Sequence, residues 1–453
     1  PVCAQMLRPG YTQEPLGGYA MSEDCLHLSV WTPQPRGRAK LPVMVWLLPG
    51  GFRSGDVRMS NYDGAALARR GVVVVTFNYR LGIFGEFAHP ALSRAQLREP
   101  LGNYNLMDQI AALRWVRANI AAFGGDPRNV TIFGMSAGGV SSNLLMASPA
   151  AAGLFAKAIS ESSGMRMSSD RQLRGDQPGL PSLETEGERH VRDLGVAAAD
   201  DAAVLRGLRS LSMQQLLDYQ RNHLVGSPGG LTPVIDGRIL REPTGKAFAA
   251  GRVNKVPYLT GGTDWEGSLV RMPGALGPVL EVVNATRAEA DAAYHERDEQ
   301  ALAVALYSDF FFSSQRWLAR QHARNGHPTY AYRFARVLEQ HRGELPGAAH
   351  GAEARYVFGT LDTLHDIAGP DRPGDMGWRV TDADRAYADL VARYWVQFAR
   401  TGNPNGEGLP AWPAVGRSDD AVLEFGQQQP APWKDPHPER WAFFSHHFDS
   451  GRL

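Results

Sequence analysis

Three things are scarce in this chain: cysteine, lysine and long apolar runs. With two cysteines, Cys3 and Cys25, only one internal disulfide can form; it would close a loop of about twenty residues and stabilise the fold by roughly 3 kcal/mol. Two buried thiols are the other reading, and composition alone does not choose between them. Five of the 47 basic residues are lysine and the rest arginine, a bias of GC-rich bacterial genes rather than of any function. No apolar run approaches the roughly 18 residues of a membrane span. The opening PVCAQMLRPG has no basic segment followed by an apolar one, so no signal peptide is visible and the compartment stays open. An excess of one charge is missing too, since 47 basic residues match 47 acidic ones. That balance argues against nucleic acid or an anionic membrane surface as the main partner.

What is present is a globular composition, 43% hydrophobic and 21% charged, in 453 residues, long enough for one large α/β domain or two to three ordinary ones. Short β-rich runs alternate with helical patterns, the α/β signal. HLSVWT (27–32), VMVWLL (43–48) and VVVVTFNY (72–79) read as strands, and the last two are apolar throughout, as in strands covered on both faces. A short helix (62–71) stops at Gly71, and DQIAALRWVRANIAAFGG (108–125) is helical up to Gly124 and Gly125. A strand at Val130–Phe133, a turn at Gly134–Ala137 and a helix from about Gly138 come next. Later strands are expected at 156–162, 256–262, 329–335 and 421–425. The interval 165–325 is polar and mostly helical where patterned, at Leu205–Gln220 and Glu299–Ala323. It reads as a helical cap inserted in a single domain spanning 1–453, because the strand at 256–262 interrupts it.

Gly134-Met135-Ser136-Ala137-Gly138 matches G-x-S-x-G. A glycine-rich chain produces such a string by chance, and a strand–helix loop without chemistry is the bland reading. The context carries the weight: an apolar strand precedes and a helix follows, the setting of a nucleophile elbow. The following helix aims its positive end at Ser136, and the N–H of Ala137 can donate to a developing oxyanion. The stretch VMVWLLPGGFRSGD, Val43 to Asp56, ends a buried strand in consecutive glycines, a way to bring bare N–H groups close to a ligand.

Several long motifs, in order, resemble the type-B carboxylesterase/cholinesterase family: SEDCLHLSVWTP (22–33), LPVMVW…GGF, NYRLGIFGEFAHP (78–90), GNYNLMDQIAALRWVRANIAAFGGDPRNVTIFGMSAGG (102–139) and FARTGNPN (398–405). The resemblance covers essentially the whole chain. It implies the α/β-hydrolase fold, a mostly parallel sheet flanked by helices, and a Ser–Glu–His triad. Ser136 falls at the nucleophile, Glu266 in GGTDWEGSL at the acid, and His350 in GAAHGAEARYVFG at the base; Asp264 is the rival acid. Ser, acid, His is also the chain order of α/β-hydrolases. The resemblance makes Gly50, Gly51 and Ala137 the oxyanion donors, Ser162 a triad support, and Arg80–Asp108 a structural ion pair. His446-His447 finds no partner at ligand spacing and reads as a solvated tail, so no metal or organic cofactor is expected.

The expected reaction is hydrolysis of uncharged small-molecule carboxylic esters through an acyl-enzyme. Met135 stands where the family usually has Glu, and no tryptophan lies between Cys3 and Cys25; both features disfavour choline esters. Two other readings compete: an inactive adhesion or scaffold protein, and a lipase, amidase or specialised detoxifying esterase. Family members carry several tens of residues ahead of the Cys3 region, so a weaker sheet edge and a more open gorge are expected here. Leu48 and Pro49 replace residues the family fills with His or Tyr and a third glycine.

Overall fold

Val43–Leu48 and Val72–Val75 are wholly excluded from solvent, as β-branched and large apolar runs must be when both faces of a strand are covered. In the computed structural model these runs lie side by side inside one sheet, the second of them one strand in from its edge; the structure describes residues 1–6, 20–35, 39–164, 171–197, 199–224, 232–366, 379–416 and 420–453. In chain order the strands are β1 (Val2–Cys3), β2 (Met21–Ser22), β3 (Leu28–Trp31), β4 (Leu41–Leu47), β5 (Val73–Phe77), β6 (Gly125–Met135), β7 (Lys157–Glu161), β8 (Tyr258–Thr263), β9 (Thr329–Phe334), β10 (Val422–Phe425) and β11 (Ala431–Pro432). β1 and β2 form a short parallel ribbon closed by a Cys3–Cys25 disulfide, so the disulfide reading of the two cysteines holds. The other nine strands form a sheet in the order β11-β10-β9-β8-β7-β6-β4-β5-β3. Its interior pairs are parallel, and an antiparallel strand closes each edge.

The strand order places the site. From β4 the chain steps to β5 on one side, then returns to β6 on the other. Loops leaving the carboxyl ends of β4 and β6 therefore open side by side, at the switch point where α/β sheets bind ligands. The register pairs Leu47 with Gly134, so the glycine loop after β4 starts level with the turn that carries Ser136. Beneath it the core is aromatic: Trp46 packs on Phe133 and Phe358 at ring-centroid distances of 4.9 Å each.

Several elements differ from expectation, each for a local reason. The helix expected from 108 begins at Tyr104, and after Asn119 it tightens into a 3-10 turn (Ile120–Phe123) ended by Gly124 at φ 82°. Leu205–Gln220 is two helices, Asp201–Ser210 and Met213–His223, because Ser212 and Gln215 form a reciprocal cap that starts the second. Within 165–325, β8 belongs to the sheet and the helix Glu299–Arg324 buries Leu302, Leu306, Phe310 and Leu318. Residues 165–170, 198 and 225–231 of that interval, and 7–19 of the tryptophan-free loop, lie outside the described residues.

Of His446 and His447, the first is exposed as expected and the second is buried, on a helix and not in a tail. They sit on the helix Pro438–Asp449, where Phe444 and Phe448 are buried and the His447 Nδ1–H donates to the Phe443 carbonyl at 2.8 Å. Arg80 and Asp108 form the expected ion pair, bidentate at 2.8 and 2.7 Å, and Asp108 also accepts the Arg80 backbone N–H. Among the described residues no helix is long and apolar enough to cross a membrane.

Candidate active site

Ser136 stands between β6 and the helix Ala137–Ala147 with φ 56° and ψ −123°. A non-glycine residue held there stores about 1–3 kcal/mol of strain, which persists only when the surroundings impose it. Here three glycines let two backbones close on the turn. A Cβ on Gly138 would lie 2.0 Å from the Leu47 carbonyl oxygen, one on Gly134 2.7 Å from the same atom, and one on Gly139 2.5 Å from the Glu161 carbonyl oxygen. The Ser136 N–H donates to the Glu161 carbonyl at 2.9 Å, and its own carbonyl accepts from Val140 at 2.8 Å. Those bonds leave the side chain partly exposed above the sheet.

Glu266 begins a 3-10 turn just after β8 and is completely buried. One carboxylate oxygen accepts the Thr263 N–H at 2.9 Å; the other accepts a short hydrogen bond from His350 Nδ1. That bond fixes the imidazole tautomer and turns Nε2 to the opposite edge of the ring. His350 is held from behind: its N–H donates to Ser268 Oγ at 2.9 Å, and Phe311 sets its edge against the ring at 5.5 Å. Asp264, the rival acid, faces elsewhere. It accepts the Ala348 N–H at 2.7 Å and lies 3.6 Å from Arg333, and burial pushes its carboxyl up to about 6 against the pull of that guanidinium. A Cβ on Gly351 would lie 2.5 Å from Met135 Cε, so the turn bearing His350 rests against the turn bearing Ser136.

Ser162 has φ 46° and donates a short hydrogen bond to Glu353, a buried carboxyl three residues beyond His350. Gly262 separates Ser162 from Glu266: a Cβ there would lie 2.8 Å from Glu266 Oε1 and 3.4 Å from Ser162 Cα. Behind them Glu161, also fully buried, accepts Trp395 Nε1–H at 2.6 Å. Burial, and then the neighbouring Glu353, push Glu161 up to about 8; burial and then Glu266 push Glu353 up as well. Sequence reasoning missed Glu161 and Glu353. Glu161 lies in the strand expected at 156–162 and Glu353 in GAAHGAEARYVFG, but nothing local marks a carboxyl that will be buried beside another.

The glycine loop has Gly50 at φ 112° and Gly51 at φ 64°. Gly50 cannot be replaced, since a Cβ would lie 1.7 Å from the Ser54 carbonyl oxygen. Its carbonyl accepts from Arg53 and Ser54 at 3.1 and 3.2 Å, and Tyr79 OH donates to the Leu48 carbonyl at 2.7 Å. Among the described residues no three His, Cys, Asp or Glu side chains cluster as metal ligands.

A strained serine at a strand–helix turn, on a parallel sheet that reverses its winding beside it, makes this an α/β-hydrolase fold. Comparison with known proteins then narrows the class. The carboxylesterase family model matches residues 1–277 and 279–443, and the chain belongs to that family; it is a carboxylic-ester hydrolase. It is 36% identical over 418 residues to fumonisin B1 esterase of Sphingopyxis macrogoltabida, covering 90% of this chain and 73% of the relative. It is 34% identical over 431 residues to para-nitrobenzyl esterase of Bacillus subtilis, covering 91% and 81%. A solved PNB esterase structure superposes with a TM-score of 0.78 at 31% identity, covering 98% of this chain and 88% of that one.

Proposed function

We propose that Ser136, Glu266 and His350 form the catalytic triad and that Gly50, Gly51 and Ala137 supply the oxyanion hole for hydrolysis of uncharged carboxylic esters. The observation that carries the reading is the buried Glu266 carboxylate bonded to His350 Nδ1, with the histidine turn packed on the strained serine turn. In this reading His350 takes the Ser136 proton as Oγ attacks the carbonyl, and Glu266 stabilises the imidazolium. The oxyanion forms at the start of the helix Ala137–Ala147, where free N–H groups and the helix dipole favour negative charge. His350 then protonates the leaving alcohol, and water hydrolyses the acyl-enzyme. Ser162 supports the triad from behind through Glu353. Met135, in place of a carboxylate beside the nucleophile, favours uncharged over cationic substrates. Relatives named for p-nitrobenzyl and fumonisin esters suggest that bulky alcohol groups are accepted.

The test is a panel of p-nitrophenyl esters from acetate to palmitate, run beside Ser136→Ala. Hydrolysis by the parent and none by the variant is expected. Equal turnover by Ser136→Ala would remove the reading.

A further inference from the structure

The disulfide ribbon presents one buried side chain to the oxyanion loop. Val2, Cys3, Ala4 and Gln5 are all buried, and Gln5 is 3% exposed. Its Nε2 donates to the Gly55 carbonyl at 3.0 Å and to the Cys3 carbonyl at 3.1 Å, and its Oε1 accepts the Gly55 N–H at 2.8 Å. A single side-chain amide thus meets both peptide groups of Gly55, as a neighbouring strand would. Gly55, at φ 134°, ends the loop that Leu48 and Pro49 begin: a Cβ there would lie 3.0 Å from the Pro49 carbonyl oxygen and 3.2 Å from the Leu48 side chain. The loop has three anchors: Tyr79 beneath Leu48, the Gly82 N–H on the Phe52 carbonyl at 2.7 Å, and Gln5 beneath Gly55, whose neighbour Ser54 donates its N–H to the Gly50 carbonyl at 3.2 Å.

We propose that Gln5 is a positioning residue for the oxyanion hole, holding Gly55 so that the Gly50 and Gly51 N–H groups stay aimed at the developing oxyanion, and that the Cys3–Cys25 disulfide keeps Gln5 in place. The inference rests on the reading of Gly50 and Gly51 as oxyanion donors. Removing the amide strips the Gly55 N–H and carbonyl of their partners, and the loop relaxes to recover them. Misplacing donors that act on the transition state alone lowers kcat and kcat/KM together and leaves KM unchanged.

The test uses the full chain, with a trifluoromethyl ketone as the probe of the hole, because its tetrahedral adduct places an oxyanion there. Gln5→Ala is expected to lower kcat per active site by roughly 10²-fold with KM unchanged, the scale for a misplaced catalytic group, and to raise the ketone Ki by the same factor. Gln5→Glu keeps an acceptor for the Gly55 N–H but sets a buried carboxylate oxygen against the Gly55 and Cys3 carbonyls, so a loss at least as large as that of Gln5→Ala is expected. Reducing the disulfide with a phosphine should lower kcat and raise Ki in the parent and change Gln5→Ala no further. A purely structural role lowers the active fraction but leaves Ki unmoved; that outcome overturns the inference. Equal further losses on reducing parent and Gln5→Ala would overturn the link to the disulfide. Gly51→Ala, run in parallel, separates the failures, since it strains a backbone at φ 64° without a clash: a parental Ki there defeats the reading of the glycines as donors, whereas a raised Ki there beside a parental Ki in Gln5→Ala defeats the inference alone.

Discussion

Glu161→Gln should make the protein more stable, and increasingly so as pH rises. The carboxyl is fully buried; Oε1 accepts from Trp395, and Oε2 has no hydrogen-bond partner among the described residues. Its pKa lies at about 8 in the folded chain against an ordinary 4.5, because burial and then Glu353 both oppose its charge. A carboxyl raised on folding contributes stability that is fully present below the unfolded value and lost as pH climbs through the folded one. From about 4.5 to about 8, at ~1.4 kcal/mol per pH unit, the parent forfeits about 5 kcal/mol. Glutamine has no proton to release, and its amide oxygen can still accept from Trp395. The pH dependence of groups that do not face position 161 cancels in the comparison, and Glu353, relieved of a neighbouring like charge, changes the difference in the same direction. Urea unfolding of parent and Glu161→Gln at pH 5 and pH 8 reads the effect directly. The variant should gain several kcal/mol on the parent between the two conditions. The same stability difference at both pH values would refute the reasoning.

Other outcomes are expected at the site itself. Gly138→Ala drives a Cβ to 2.0 Å from the Leu47 carbonyl oxygen; backbone cannot yield as a side chain can, so a loss of at least about 3 kcal/mol and of turnover is expected, and a soluble, fully active variant would contradict the elbow geometry. Pro49→Gly restores an N–H that is not an expected oxyanion donor and frees one φ angle. Turnover should persist with a changed acyl-chain profile on the p-nitrophenyl panel, and total loss of activity would mean the loop has been misread. In that panel Ser136→Ala should be inert with every ester.

Much of this was legible in the sequence where the physics is local. Unbroken apolar runs marked β4 and β5, and the strand-then-helix context of Gly134–Gly138 marked the turn that holds Ser136. The family motifs supplied Glu266 and His350 by resemblance; no periodicity could have paired residues 84 apart. What stayed hidden was long-range burial. Glu353 meets Ser162 across 191 residues and Gln5 meets Gly55 across 50, so neither could be told from a surface side chain. The break at Ser212 was missed because its cap interrupts a pattern that runs on in the apolar positions. His447 was misjudged because a chain-terminal segment was taken to be solvated, whereas Phe444 and Phe448 pull its helix inward.

Phe358 ends the short helix that follows His350, and it is wedged against Trp46 of β4 and Phe133 of β6. Those strands deliver the glycine loop and the serine, so the turns carrying the glycine loop, Ser136 and His350 are referenced to one aromatic knot and not to one another through the segments between them. The intervening chain can therefore be lengthened or shortened without moving those three turns relative to one another. A volume change at Phe358 is different, because it would displace all three turns together.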